Sequence, residues 1–204
     1  MLALVLLSLQ AGPAWTTLFD GKTAAGWVEV TGKAFPAKSW AVEDGCLRAL
    51  VVEGGFQDIR TVETFRNFEL EFEWKIEAGG NSGVKYLIEK VDEWKARTGE
   101  GMNARGRGPE YQLIDDEVNA DSKGHPEKQT ASLYGKLART GGRPRVAGEF
   151  NVSRIVVRNG HVEHWLNGEK ALEYDGTLVR ESPIVLQNHH SGVWFRGIRV
   201  RRLE

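Results

Sequence analysis

The segment from Phe68 to Ile76 places the strictest limit on what this chain can fold into. Its five apolar residues alternate with three glutamates and one lysine, in the order Phe-Glu-Leu-Glu-Phe-Glu-Trp-Lys-Ile. A period of two puts all the apolar side chains on one face of a β-strand and all the charged ones on the other. The pattern therefore predicts a strand that covers a core with one face and meets solvent or a ligand groove with the other.

Two-residue turn signals connect further predicted strands. Asp44-Gly45, Asn159-Gly160 and Asn167-Gly168 each stand between alternating segments. Such pairs are favoured in tight hairpins because both turn residues must adopt positive φ. Only one short helical turn is expected, near residues 91–96. About a dozen short strands with tight turns predict an all-β sandwich or jelly roll.

A second strand carries the most suggestive polar face. The sequence from Glu110 reads Glu-Tyr-Gln-Leu-Ile-Asp. Glu110 and Gln112 project from one face, whereas Tyr111 and Leu113 project from the other, toward a core. Asp115 follows where the strand should end. The polar face could form a floor for a hydroxyl-rich ligand, and the alternative is an ordinary strand with a solvated outer side.

Length and charge narrow the class of protein. The chain has 204 residues, which suits one domain with a sizeable core. Its formal net charge of -1 argues against a nucleic-acid partner, because phosphate binding needs a basic field. Cys46 is the single cysteine, so the chain cannot form an internal disulfide.

The N-terminus resembles an export signal. The apolar run from Leu2 to Ala11 is too short to span a bilayer, which takes roughly 20 residues. Small residues follow it, as at a signal cleavage site. We therefore expect a leader over residues 1–14, one domain over residues 15–204, no membrane span, and export to the periplasm or the cell exterior.

Motifs spread over nearly the whole chain resemble those of the 3-keto-disaccharide hydrolase family. In chain order they are Leu18-Phe19-Asp20-Gly21 with Gly26-Trp27, Glu43-Asp44-Gly45, Gly79-Gly80-Asn81-Ser82-Gly83-Val84, Gly108-Pro109-Glu110-Tyr111-Gln112, Glu163-His164-Trp165-Leu166-Asn167-Gly168, Leu186-Gln187 with His189, and Val193-Trp194-Phe195-Arg196. The resemblance implies a concanavalin A-like jelly-roll sandwich of two curved antiparallel sheets with a ligand site on the concave face. It also implies cleavage of glycosides whose sugar a partner sugar 3-dehydrogenase has first oxidised at carbon 3.

The implied chemistry selects candidate residues. A ketone at carbon 3 acidifies the hydrogen on carbon 2, so a base can remove that proton, the aglycone can leave carbon 1, and water can add afterwards. This route needs a base, a group that stabilises the enolate oxygen, and an acid. The catalytic candidates are Glu110 and His189, between which the choice of base stays open, and Arg196 as the cation. The substrate-binding candidates are Glu73, Lys75, Asn81, Gln112, Asp115, His164 and Gln187.

These assignments have alternatives. Arg196 could pair with Glu73 or Glu110 as a structural ion pair, and His189 could be a hydrogen-bonded loop histidine. A divalent metal could stabilise the enolate in place of a cation. The ligand set would be Glu110, Asp115, His164 and His189. Because no characteristic metal-ligand spacing supports this set, no cofactor is expected.

The same fold could also serve as a carbohydrate-binding module without catalysis. The sequence favours an enzyme, because ionisable groups and not only aromatic rings gather at the family's motif positions. A binding module and an enzyme would differ in turnover when Glu110 or His189 is replaced.

Overall fold

The computed structural model describes residues 13–52, 55–97 and 101–204, and the predicted leader lies almost wholly outside these ranges. The prediction of an all-β chain is confirmed. The one helical element among the described residues is the 3₁₀ turn Pro126–Lys128. No helix in these ranges is long and apolar enough to cross a membrane.

The described residues form fifteen strands. They are β1 Thr16–Thr17, β2 Trp27–Glu29, β3 Trp40–Glu43, β4 Cys46–Ala49, β5 Ile59–Thr61, β6 Phe68–Ile76, β7 Asn81–Lys85, β8 Lys90–Lys95, β9 Met102–Arg107, β10 Glu110–Ile114, β11 Asn151–Arg158, β12 His161–Leu166, β13 Glu169–Asp175, β14 Val185–Leu186 and β15 Val193–Arg202.

The strands form two sheets and a separate hairpin. An eight-stranded sheet has the order β13-β12-β11-β6-β15-β4-β3, with β1 paired to β15. A five-stranded sheet has the order β10-β7-β14-β5-β2, and β8 pairs with β9 alone. Every pairing between these strands is antiparallel.

The hydrophobic core lies between the two sheets. The five apolar residues of β6 are all buried there, as their alternation predicts. From the five-stranded sheet, Val84, Tyr111 and Leu113 pack into the same core. The rings of Phe72 and Tyr111 meet edge to face with centroids 5.9 Å apart. Each fully buried side chain of this size contributes roughly 1.5–3 kcal/mol to stability.

The predicted hairpin turns are confirmed. Asn159 and Gly160 join β11 to β12 with φ values of 50° and 91°. Asn167 and Gly168, which join β12 to β13, have φ values of 49° and 90°. Both residues of each turn are therefore left-handed, as a tight hairpin that matches the twist of its strands requires.

The outer face of the eight-stranded sheet is covered by its own ion pairs. Along β6 and β15, three glutamates meet three arginines, in the pairs Glu69–Arg201, Glu71–Arg199 and Glu73–Arg196. The pairs of Glu71 and Glu73 are partly exposed, and such pairs contribute about 0–1 kcal/mol each, whereas Glu69 is buried. The face is a charge-matched surface.

The expected helical turn at residues 91–96 is wrong, because β8 occupies this segment. Its partner β9 pairs with it from Lys90 opposite Arg107 to Lys95 opposite Met102. Trp94 packs edge to face on Phe56, with ring centroids 6.1 Å apart. The cross-strand partners and this aromatic contact override the weak local preference of a polar segment.

Candidate active site

A cavity of about 220 Å³ lies on the outer face of the five-stranded sheet. Strands β7 and β10 and two residues that follow β14 supply its floor, and strand β9 and the segment 133–136 supply its walls. The polar side chains that line it are Asn81, Lys85, Arg105, Arg107, Glu110, Gln112, Tyr134, Lys136, Gln187 and His189. Five of the residues selected from the sequence are among them: Asn81, Glu110, Gln112, Gln187 and His189.

The register of the floor strands explains this convergence. Glu110 lies opposite Lys85, and Gln112 lies opposite Gly83. On the other side of β7, the backbone N–H of Gln187 donates to the carbonyl of Gly83 at 2.9 Å. The carboxylate of Glu110 crosses above Gly83, where a β-carbon would collide with it. The glycine therefore makes room for the carboxylate.

Lys85 holds the centre of the floor. Its Nζ lies 3.3 Å from Oδ2 of Asp58 and 3.8 Å from Oε2 of Glu110. The exposed fractions of the three side chains are 3% for Lys85, 0% for Asp58 and 14% for Glu110. Asp58 also accepts the backbone N–H of Asn188 at 3.1 Å and that of Gly106 at 3.3 Å. The buried aspartate thus fixes the ammonium beside Glu110.

Burial sets the protonation behaviour of the two candidate bases. It raises the pKa of Glu110 above its ordinary value, although the nearby Lys85 lowers it in part. For His189, burial and then the positive charge of Arg105 lower the pKa to about 4. At neutral pH the imidazole of His189 is therefore uncharged.

Amide side chains supply hydrogen-bonding groups beside Glu110. The side-chain amides of Gln112 and Asn81 are hydrogen-bonded to each other at 3.0 Å. Gln187 is 3% exposed, and its Oε1 has no hydrogen-bond partner in the described part of the chain. A buried acceptor without a partner costs free energy, which a ligand hydroxyl would recover.

Three candidates lie on the opposite side of the sandwich. Arg196 donates to Glu73 from Nε at 3.0 Å and from Nη2 at 2.7 Å, on the outer face of the eight-stranded sheet. Lys75 lies on the same face, with its ammonium 5.1 Å from the ring centroid of Phe150 and 5.0 Å from that of Trp194. The structure does not bring Glu73, Lys75 or Arg196 to the cavity. Arg196 instead forms a structural ion pair with Glu73, which was the alternative considered for it.

His164 and Asp115 are also away from the cavity. His164 is fully buried between the sheets, with Nε2 2.7 Å from the hydroxyl of Tyr86 and Nδ1 2.9 Å from the carbonyl of Ala131. Because a carbonyl can only accept, Nδ1 carries the proton. Asp115 accepts backbone N–H groups, including that of Gly79 at 2.8 Å. The structure therefore does not assemble the four residues that were considered as metal ligands.

Sequence reasoning missed Lys85, Asp58 and Arg105 as site residues. One signal for Lys85 was present, since Asn81, Gly83 and Lys85 are spaced two apart and share a face of β7. Arg105 gave no comparable signal, because it reaches the cavity from β9, and the partner of β9 in the hairpin was expected to contain a helical turn.

Comparison of the sequence with known proteins assigns the chain to a family. Residues 14–201 match the model of the 3-keto-alpha-glucoside-1,2-lyase-like domain. The chain belongs to this family. A 3-keto-disaccharide hydrolase from Bacteroides thetaiotaomicron is 32% identical over 230 aligned positions, which cover 93% of this chain and 79% of the relative. The family resemblance expected from the sequence motifs is confirmed.

Solved structures confirm the architecture. The crystal structure of a candidate glycosyl hydrolase from Parabacteroides distasonis aligns with a TM-score of 0.76 and 29% identity, and covers 93% of this chain and 94% of its own. A β-porphyranase from Bacteroides plebeius aligns with a TM-score of 0.56 and 12% identity, over 95% of this chain and 94% of its own, and so shares the fold alone. The predicted jelly-roll sandwich is thus confirmed.

Proposed function

We propose that this protein is an enzyme that cleaves glycosides whose sugar carries a ketone at carbon 3, by elimination across carbons 1 and 2 followed by addition of water. Membership of the family and the names of its relatives support the substrate class. The observation that carries the mechanism is the buried ammonium of Lys85, placed between Asp58 and Glu110 on the floor of the cavity.

Glu110 acts as the base. It removes the proton from carbon 2, the electrons of that bond form a double bond to carbon 3, and the ketone oxygen takes up the negative charge. The ammonium of Lys85 stabilises this oxygen at a site from which most water is excluded. The raised pKa of Glu110 suits it to this transfer, because a stronger base gives a greater driving force.

The enolate then collapses. Its electrons restore the ketone at carbon 3 and form a double bond between carbons 1 and 2, and the aglycone oxygen leaves carbon 1 with a proton returned from the carboxyl group of Glu110. Water adds across the new double bond to give the 3-keto sugar. Hydroxyl groups of the sugar bind to the imidazole of His189, which is uncharged at neutral pH, and to the amides of Asn81, Gln112 and Gln187.

The substrate class implies a partner. Ordinary glycosides carry no ketone at carbon 3, so a sugar 3-dehydrogenase must act before this enzyme. The leader-like segment over residues 1–14 supports a location outside the cytoplasm for the cleavage step.

The test compares an aryl 3-keto-glucoside with the matching unoxidised glucoside, with and without a chelator. We expect the aryl alcohol to be released from the keto substrate alone. In D₂O, deuterium should appear at carbon 2 of the product. Glu110→Gln and Lys85→Met should each lower kcat by at least about 100-fold. Glu117→Gln, which removes an exposed carboxylate next to the same strand, is the control.

Two outcomes would contradict the proposal. Saturable sugar binding without release from either substrate would indicate a carbohydrate-binding module on the same fold. Loss of activity in the chelator would require a metal ion in place of Lys85 as the group that stabilises the enolate.

A further inference from the structure

Two cations on the cavity wall have no carboxylate partner in the described part of the chain. The guanidinium of Arg105 lies over the rings of Phe56 and Trp94, at 5.2 Å and 5.7 Å from their centroids. Its Nε is buried and makes no hydrogen bond to any described residue. Lys136 is exposed on the other wall, and no ion pair of its ammonium occurs among these residues. The aromatic rings hold Arg105 in place, where its charge acts on Glu110 and Asp58 without a direct ion pair to either in the described part of the chain.

A charge count over the cavity leaves one positive charge unmatched. Among the described residues, the lining contains four cations, and three carboxylates lie in the cavity or pair with one of them. The cations are Lys85, Arg105, Arg107 and Lys136. The carboxylates are Asp58 and Glu110, which flank Lys85, and Asp92, which binds Arg107 at 2.7 Å. Asp121, the acceptor of the Tyr134 hydroxyl, is matched by Lys128.

The proposed reaction does not neutralise this unmatched positive charge. When Glu110 takes a proton from carbon 2, its negative charge disappears as the enolate charge appears, so the total charge of the cavity is conserved. The same holds for a neutral His189, because the imidazolium formed would balance the enolate. An unmatched cation beside a neutral substrate would therefore stay unmatched through every step.

We propose that the substrate carries an anionic group, for which a carboxylate is the best fit, bound by Arg105 and Lys136 at the cavity wall. This inference rests on the proposed function. The planar fork of an arginine matches the two oxygens of a carboxylate, and the stacked guanidinium is already ordered, so little side-chain entropy is lost on binding. The charge can reside on the aglycone or on carbon 6 of the sugar.

Two matched pairs of substrates separate these sources. The first pair is the 4-carboxyphenyl and 4-carbamoylphenyl 3-keto-glucosides, which differ in the charge of the aglycone. The second is the 3-keto-glucuronide and 3-keto-glucoside of one neutral phenol, which differ in the charge at carbon 6. We expect kcat/KM to be about tenfold higher for the anionic member of at least one pair, as a charge-assisted hydrogen bond would give.

Substitutions test whether Arg105 and Lys136 cause the preference for anionic substrates. Arg105→Gln and Lys136→Gln should bring the anionic-to-neutral ratio of kcat/KM toward one. Arg158→Gln, which removes an exposed cation at the end of β11, should leave the ratio unchanged. A wild-type ratio near one in both pairs would overturn the inference. So would an Arg105→Gln variant that slows both members of a pair equally, because Arg105 would then act on the enolate.

A binding measurement separates failure of this inference from failure of the proposed function. Calorimetric titration with unoxidised methyl glucuronide and methyl glucoside requires no turnover. Tighter binding of the glucuronide, lost in Arg105→Gln, would support a carboxylate site on the sugar side even if no 3-keto substrate were cleaved. Cleavage of all four 3-keto substrates at equal rates would support the proposed function and refute the anion site.

Discussion

Replacing Lys85 with methionine tests how the floor of the cavity is built. The change removes the ammonium but keeps a side chain of similar length, and it leaves the carboxylate of Asp58 with no exposed surface and no cation at 3.3 Å. Removing one partner of a buried ion pair costs about 3–5 kcal/mol. Because two backbone N–H groups still donate to Asp58, we expect the low end of this range, about 3 kcal/mol.

The double variant with Asp58→Asn gives the decisive comparison. Asparagine removes the buried charge and keeps an oxygen that can accept the N–H of Asn188. The double variant should therefore be more stable than the sum of the single effects predicts, by about 2 kcal/mol. Additive effects would refute the conclusion that Asp58 and Lys85 act as a unit.

The assay is urea-induced unfolding followed by tryptophan fluorescence, with the exposed Lys123→Met as control. Burial raises the pKa of Asp58 in the folded protein, and loss of Lys85 should raise it further. A raised carboxyl pKa destabilises the folded state increasingly as the pH rises from the unfolded value toward the folded one. The loss of unfolding free energy caused by Lys85→Met should therefore be smaller at pH 5 than at pH 7.

Three further substitutions test other parts of the structure. Burial lowers the pKa of His164 to about 4 from 6.5, so the folded state loses stability as the pH falls from 6.5 toward 4. This fall in pH should cost the wild-type protein about 3 kcal/mol of unfolding free energy, and His164→Phe should abolish that loss. Urea unfolding between pH 6.5 and pH 4 measures it, and a variant with the same pH dependence as the wild type would contradict the prediction. Gly83→Ala should displace the carboxylate of Glu110 and lower kcat about 100-fold with a small change in Tm, whereas full activity would place the base elsewhere. Arg196→Gln should change kcat/KM by less than about twofold and stability by less than about 1 kcal/mol, and loss of turnover would return Arg196 to the mechanism.

The sequence could predict which face of a strand points inward, but not to which sheet the strand belongs. Alternation correctly placed the apolar side of β6 and that of β10 in the core. A sandwich has two outer faces, and Glu73 and Glu110 lie on different ones. Sheet membership depends on partners distant in sequence, such as Arg196 opposite Glu73. No local pattern contains this information, so residues from both faces were grouped into one site.

The two ion pairs Glu73–Arg196 and Glu110–Lys85 show why burial, and not pairing, creates the site. Both pairs join residues directly opposite each other on antiparallel strands. The side chains of Glu73 and Arg196 are 38% and 44% exposed, so water screens their charges. Those of Glu110 and Lys85 are 14% and 3% exposed, because the wall from β9 and the segment 133–136 encloses the floor. Desolvation there raises the pKa of Glu110 and strengthens the field of Lys85. The hairpin of β8 and β9 was wrongly expected to contain a helical turn. Local sequence patterns therefore did not predict the wall that buries Glu110 and Lys85.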